Sequence, residues 1–352
     1  MEMDVRQFSS DKILKHLDRI NDWLKGGNPA PITVELDMTN ICNHKCPECS
    51  GWYLQNSNKD SLSYGLAKEI VKQLARAQIR GLIFTGGGEP LCHPDIRRIV
   101  RLAHDLGLEI GFITNGSLIN EEIGKVLLDS CTWLRFSLDA ACSKTFRKVH
   151  GLDGEAFQKV INNIQLLVRM KKSLKSRTTI GIGYLTCNYT RDEMLDAAKL
   201  SRRLCVDYLQ FRPMQLHNNG KFKYHLNDIT EDINRCMKMS GDGFQVLYSK
   251  HKYDMMRDKA YGRNYEKCYG HQFATVIAAN AKMYLCCHMR GFDKYCIGDL
   301  KKNTFQEIWN SSLRERVVEN IDFNDCIPLC RDNTFNQILW NIGQPKEHIN
   351  FL

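Results

Sequence analysis

The stretch TNICNHKCPECSG, residues 39–51, decides how this chain is read. It sets three cysteines, Cys42, Cys46 and Cys49, in one loop with gaps of three residues and then two. A closed structural zinc site takes four protein ligands, and a fully ligated four-iron cluster likewise takes four thiolates. Three thiols in one tight loop instead suggest a cubane whose fourth iron is open to a small molecule. The competing reading is a zinc knuckle with His44 as fourth ligand.

Outward from this loop, strand-like and helix-like segments alternate in the manner of βα units. Expected strands cover residues 32–39, 79–86, 108–114, 132–138, 178–186 and 207–212, with helices at 66–77, 95–106, 121–128, 156–170 and 191–204. Parallel neighbours need helical crossovers, so this α/β pattern fits a partial (βα)6 TIM-like barrel or a doubly wound sheet. Either fold gathers ligand groups where strands end. The unusual residues do sit there: the cysteine loop after the first strand, TGGGEP (85–90) after the second and TNG (114–116) after the third. SLDA (137–140) follows the fourth and FRPM (211–214) contains the end of the sixth.

The cysteine spacing and the GGGEP turn together resemble the radical S-adenosylmethionine (SAM) superfamily. The resemblance implies that Cys42, Cys46 and Cys49 carry a [4Fe–4S] cluster and that SAM chelates the open iron through its amine and carboxylate. One electron then splits SAM to a 5′-deoxyadenosyl radical, which takes a hydrogen atom from substrate. The same resemblance assigns Gly86, Gly87, Gly88 and Glu89 to the methionine ammonium. Physically, glycines permit close backbone approach and a carboxylate can hold an ammonium. Asn115, Ser137, Asp139 and Arg212 stand where family members contact the ribose or the methionine carboxylate. Ordinary turn and capping chemistry would also account for Asn, Ser and Asp at such places. Where many relatives carry Arg-Gly after the fourth strand, this chain has His150 and Gly151, with Arg147 as a possible stand-in.

A second thiol set begins at Cys268, continues in KMYLCC at Cys286 and Cys287, and ends in CIPLC at Cys326 and Cys330. Between them residues 297–315 read as a short strand, turn and helix. This resembles the C-terminal auxiliary-cluster domain of SPASM and twitch radical SAM enzymes, so that the resemblance covers roughly residues 30–332. It implies one fully ligated auxiliary [4Fe–4S] cluster on Cys268, Cys286, Cys326 and Cys330, the twitch arrangement. Ala281 replaces the usual glycine before the second cysteine, and Cys287 or Cys296 could replace one of the four. A four-thiolate set also suits zinc. The remaining cysteines read as small buried apolar residues, though Cys142 and Cys187 lie at the strand ends where a thiol could return hydrogen to a substrate radical.

The chain has 352 residues, of which 43% are hydrophobic, enough for a core of ordinary size. The expected organisation is an N-terminal helix within residues 1–30 (12–24), a barrel over 31–215 and a linker or lid over 216–265. A small α+β auxiliary-cluster domain over 266–332 and a helix or tail over 333–352 complete it. The opening MEMDVRQFSSDK lacks an apolar signal core and no 18-residue apolar run occurs, so a soluble, cytoplasmic protein without membrane partners is expected. Fifteen cysteines fit a reducing compartment. The net charge of +9 includes the run 169–177, which reads as a solvated helix end. No nucleic-acid partner is expected.

The function expected is reductive SAM cleavage followed by oxidation (dehydrogenation) of a small polar metabolite, the auxiliary cluster accepting the electron and a flavodoxin or ferredoxin acting as reductant. A ribosomal peptide maturase forming crosslinks or epimers is one alternative. The winged-helix leader-binding module that many such relatives carry is expected to be absent, because so little sequence precedes the first strand. A non-catalytic iron–sulfur or zinc protein is the other alternative.

Overall fold

Helix α1 (Leu17–Leu24) leads into strand β1 (Thr33–Asp37), which buries Val34 and Leu36 and turns Glu35 and Asp37 the other way. A computed structural model describes residues 9–49, 51, 59–218, 221–223, 228–344, 347 and 350. Five βα repeats follow: α2 (Tyr64–Arg76), β2 (Gly81–Thr85), α3 (Ile96–Asp105), β3 (Glu109–Thr114), α4 (Glu121–Ser130) and β4 (Trp133–Ser137). After α5 (Ser143–His150) and α6 (Gly154–Leu174) come β5 (Thr179–Thr186), α7 (Met194–Arg203) and β6 (Tyr208–Pro213). Each helix presents an apolar stripe to the sheet, as Ala67, Ile70, Val71 and Leu74 do on α2.

The chain continues through a short hairpin, β7 (Leu216–Asn218) and β8 (Lys221–Lys223), then α8 (Thr230–Met237), β9 (Gln245–Tyr248) and α9 (Lys250–Arg257). β10 (Ala274–Ile277), β11 (Lys282–Tyr284) and β12 (Cys296–Asp299) precede α10 (Phe305–Trp309), α11 (Ser312–Glu319) and α12 (Asn333–Gly343). One ten-stranded sheet has the order β12-β11-β10-β1-β2-β3-β4-β5-β6-β9. From β10 to β9 all neighbours are parallel, and β11 and β12 are antiparallel additions at one edge. This is a partial, TIM-like α/β barrel with a small C-terminal domain. The two share one apolar core that runs from Leu36, Phe84 and Phe136 to Met283, Phe305 and Trp309.

Two expectations are corrected. The stretch 216–265 is not merely a linker or lid, because β9 extends the parallel sheet beside β6 and α8 packs Ile233 and Cys236 into the core. A four-residue strand and a two-turn helix are too short to show a period in sequence. The six βα strands expected are flanked by β9 on one side and by β10, which pairs parallel to β1, on the other. The single helix expected at 12–24 is a 3-10 turn (Ser10–Lys15) and α1, broken at His16, whose ψ of 49° is not helical. This segment packs Ile13 and Ile20 against Phe273 and Leu339, tying the N-terminal segment to α12.

Glycines inside the barrel make room for aromatic fillers. A Cβ on Gly181 would lie 2.0 Å from the ring of Tyr208, its cross-strand partner, which is 1% exposed. Gly181→Ala is therefore expected to cost about 1–3 kcal/mol through overpacking, read as a lowered urea midpoint.

Candidate active site

The cysteine loop is gripped by the turns that follow three other strands. Gly88 N–H donates to the Thr39 carbonyl (3.0 Å), and Glu89 N–H to that of Ile41 (3.0 Å). A Cβ on Gly88 would meet the Ile41 carbonyl oxygen at 2.2 Å, so the turn docks on the loop only because the residue is glycine. From the third strand, the Asn115 carboxamide donates to Asn43 Oδ1 (2.9 Å), and Asn43 Nδ2 donates to Ser117 Oγ (2.7 Å). Beyond the fourth, Lys45 N–H donates to the His150 carbonyl (3.1 Å). Gly151, at φ +65°, lies so close to the loop that a Cβ would sit 2.4 Å from the Lys45 oxygen.

A cavity of about 620 Å³ opens over this loop at the C-terminal ends of the strands. It brings together Cys42, Cys46, Cys49, Gly86, Gly88, Glu89, Asn115, Ser137, Asp139 and Arg212. Gly87 lies behind the lining, where its backbone N–H serves Asp37. The Asn115 side chain is occupied by Asn43 and Ser117, which makes it a loop anchor. Asn43 and Ser117 were missed in sequence because an Asn inside a cysteine loop carries no pattern of its own.

Glu89 is 4% exposed and accepts from Thr114 Oγ1 (2.7 Å), Asn115 N–H (2.7 Å) and Leu91 N–H (3.1 Å). Burial pushes its carboxyl up to about 7 against those three donors, and no cation faces it among the described residues. Such a group fits an incoming ammonium. Ser137 has an uncommitted hydroxyl among the described residues. Asp139, in the left-handed region at φ 52°, accepts from Leu185 N–H (2.6 Å) and is also pushed up by burial.

His150 is held in a way composition could not reveal. Its Nε2 is 2.8 Å from the Leu138 carbonyl, while Nδ1 lies 3.4 Å from Cys46 Sγ and 3.3 Å from His44 Nδ1. Burial lowers both imidazoles, His44 to about 3. Arg147 is exposed on α5 and does not line the cavity, so it is no stand-in.

Among the described residues the one set of three or more ligand atoms mutually within 4.8 Å is His44, Cys46 and His150. Burial pushes Cys42 up to about 12, and Cys268 and Cys326 to about 11. These groups would be neutral thiols until a metal ionises them.

Cys268 follows α9, Cys286 follows β11, and Cys326 and Cys330 lie between α11 and α12. Cys286 is pushed up by burial and then by Cys287, Cys330 and Cys268, while Cys326 feels Cys330. Cys296 is elsewhere, near Gly298, Lys282 and Asp293. The turn before β11 holds Ala281 at φ +68°, the left-handed conformation that glycine adopts freely. Cys142 bonds to Glu193 (3.0 Å) and Cys187 lies against Thr190 (3.5 Å). Neither lines the cavity, whereas Cys287 does.

The C-terminal domain reaches into the cavity through arginines. Arg290 pairs with Glu35 (2.7 Å) and Asp37 (2.8 Å), and Arg331 pairs with Glu35 as well. Burial would raise Glu35, but Arg331 and Arg290 outweigh it and hold the carboxyl down at about 2. Burial prevails at Asp37, which rises to about 6 despite Arg290.

Comparisons with known proteins agree with this geometry. Residues 36–201 match the radical SAM superfamily, and residues 268–332 match the SPASM iron-sulfur cluster-binding domain. An AdoMet-dependent heme synthase of Methanosarcina barkeri is 23% identical over 304 residues, spanning 80% of this chain and 83% of that protein. A probable GTP 3',8-cyclase of Saccharolobus solfataricus is 28% identical over 204 residues, 57% of this chain and 62% of the cyclase. Among solved structures, Streptococcus suis SuiB bound to S-adenosylmethionine superposes with a TM-score of 0.66 at 14% identity, covering 87% of this chain and 72% of SuiB. The enzyme anSMEcpe with bound AdoMet gives 0.60 at 18% identity, covering 87% and 85%. The chain therefore belongs to the radical SAM superfamily, its radical SAM domain followed by a SPASM iron–sulfur domain.

Proposed function

We propose that this protein removes a hydrogen atom from a small polar metabolite and completes a dehydrogenation by passing the second electron to an auxiliary [4Fe–4S] cluster. Cys42, Cys46 and Cys49 hold the SAM-binding cluster, and Cys268, Cys286, Cys326 and Cys330 the auxiliary one. Cluster and SAM supply the 5′-deoxyadenosyl radical; the chain binds, orients and shields the reactants. Glu89 takes the methionine ammonium, and Ser137 and Asp139 face the ribose. The observation that carries the reading is one cavity lined by the three loop thiols and by Cys287 and Arg331, the chain neighbours of Cys286 and Cys330.

The test is 5′-deoxyadenosine formation from SAM by anaerobically reconstituted protein reduced with dithionite, together with iron content. Two four-iron clusters require about eight irons per chain. Absence of the nucleoside from a fully loaded preparation would refute catalysis; four irons plus one zinc would remove the auxiliary cluster from the scheme.

Glu89 adds a pH dependence. Its raised carboxyl is neutral below about 7, so SAM, whose ammonium needs the anion, should bind more tightly as pH rises from 6 to 8. Without SAM the sign reverses: Glu89 contributes stability below the ordinary carboxylate range and loses it as pH rises through about 7. Glu89→Gln should flatten the binding profile, read by equilibrium dialysis of labelled SAM.

A second reading, peptide modification, has one observation in its favour. SuiB is also known bound to its precursor peptide SuiA and anSMEcpe to a Cp18Cys peptide, on the same fold. A cytoplasmic site of action accords with fifteen cysteines, all of them free, and with the absence of any membrane-spanning helix among the described residues.

A further inference from the structure

We infer that the substrate carries an oxyanion, a carboxylate or a phosphate, and that this group seats between Arg135, Arg212 and Lys252 at the barrel end of the cavity. The inference rests on the reading of that cavity as the site of hydrogen abstraction, and it names the substrate class. Arg135 on β4 and Arg212 on β6 flank β5. Gly183 on β5 leaves the space they use, since a Cβ there would lie 3.1 Å from Arg212 Nη2 and 3.3 Å from Arg135 Cδ. Two guanidinium groups thus converge over a glycine.

None of the three cations has an ion pair among the described residues. The Nε atoms of Arg135 and Arg212 are buried without a hydrogen-bond partner, and the Arg135 guanidinium reaches Gln210 Oε1 at 3.4 Å and lies 5.9 Å from the centre of the Trp133 ring. Lys252, on α9, is 7% exposed, and its ammonium has no hydrogen bond among the described residues. Burial depresses all three: Arg135 to about 9 by burial and then Arg212, Lys252 to about 8 by burial and then Arg212, and Arg212 by burial that outweighs the attraction of Asp139.

The acids that share the cavity are committed elsewhere. Glu35 serves Arg290 and Arg331, and Glu48 accepts from Tyr189. Glu89 is surrounded by its own donors, and Asp139 attracts Arg212 from beyond ion-pair distance. Clustered buried cations are costly unless a counter-charge arrives. A planar guanidinium fork matches the two oxygens of a carboxylate or phosphate, and a neighbouring ammonium adds a third donor.

Two rival occupants of this charge are outcomes of the test, the carboxylate of SAM at Arg212 and the auxiliary cluster beside Lys252, which feels Cys330 and Cys287. The experiment separates them. Protein with both clusters, saturated with SAM, is titrated with inorganic phosphate and separately with glutarate, against sodium chloride at equal ionic strength. The readouts are melting temperature and calorimetric affinity. At least one anion should raise the melting temperature saturably where chloride does not, and Arg135→Gln and Lys252→Gln should each weaken that anion by about tenfold. Response to phosphate alone assigns a phosphoryl group, and response to glutarate alone a carboxylate. Lys252→Gln relieves a buried unpaired charge, so it should fold even if Arg135→Gln does not. The inference is overturned if neither anion exceeds chloride, if SAM abolishes the response, or if Lys252→Gln leaves the affinity unchanged. Hydrogen abstraction is judged separately by 5′-deoxyadenosine, so either idea can fail without the other.

Discussion

Replacing Cys42, Cys46 and Cys49 together by alanine is expected to bring 5′-deoxyadenosine formation to background and to remove about four irons per chain, with the C-terminal iron retained. The loop itself should survive. Its position depends on Thr39, Ile41, Asn43 and Lys45, which bond to the second, third and fourth strand-end turns, and on close glycine contacts at Gly88 and Gly151. The described thiol contacts include 3.4 Å bonds accepted by Cys42 and Cys49 from His44 and Gly51 N–H, which lie within the loop itself, and Cys46 beside His150 Nδ1 at 3.4 Å. Loss of cleavage with an unchanged circular dichroism spectrum would therefore report lost chemistry. Retained cleavage, or loss of all iron at once, would contradict the assignment of two separate thiol sets.

Glu35→Gln is expected to lower stability by roughly 2–3 kcal/mol at neutral pH, allowing for solvent screening of Arg331, which is 38% exposed. The carboxylate is 6% exposed and holds Arg290 and Arg331, both from the C-terminal domain, against β1. Because its carboxyl is depressed from 4.5 to about 2, its contribution is complete above 4.5 and fades as pH falls towards 2. Asp37 runs the other way: raised to about 6, it stabilises below the ordinary carboxylate range and loses that share as pH rises through 6. Wild type and Glu35→Gln should therefore differ most above pH 5, with the gap in urea midpoint closing in acid. A gap that does not change with pH would sink this account. Arg331 adjoins Cys330, so the same substitution should also disturb the auxiliary thiols, visible as a changed absorption spectrum of the loaded protein.

Much of the architecture was legible because βα repeats are long enough to show their periods. The six expected strands each fall within a residue or two of β1 to β6, and the unusual residues do cluster at their C-terminal ends. Failures came where elements are short or where pairing is remote. QVLY of β9 has too few residues to declare a period, and nothing in Ala274–Ile277 announces that it will pair with a strand some 240 positions earlier.

What the sequence alone determined about this protein is its inventory of reactive groups and their local spacing. The triplet of thiols, the GGGEP turn and the later cysteines identify a chemistry because ligands within one loop are neighbours by covalent connection. Tertiary structure decided everything that depends on distance across the sheet. It placed His150 beside Cys46, drew Arg290 and Arg331 onto Glu35 and Asp37, and set Arg135, Arg212 and Lys252 around one cavity without ion pairs among the described residues. The physical reason is that charge and burial are properties of an environment. An arginine in a string of letters is solvated by default, and only the fold reveals which ones have lost their water and what each has found in its place.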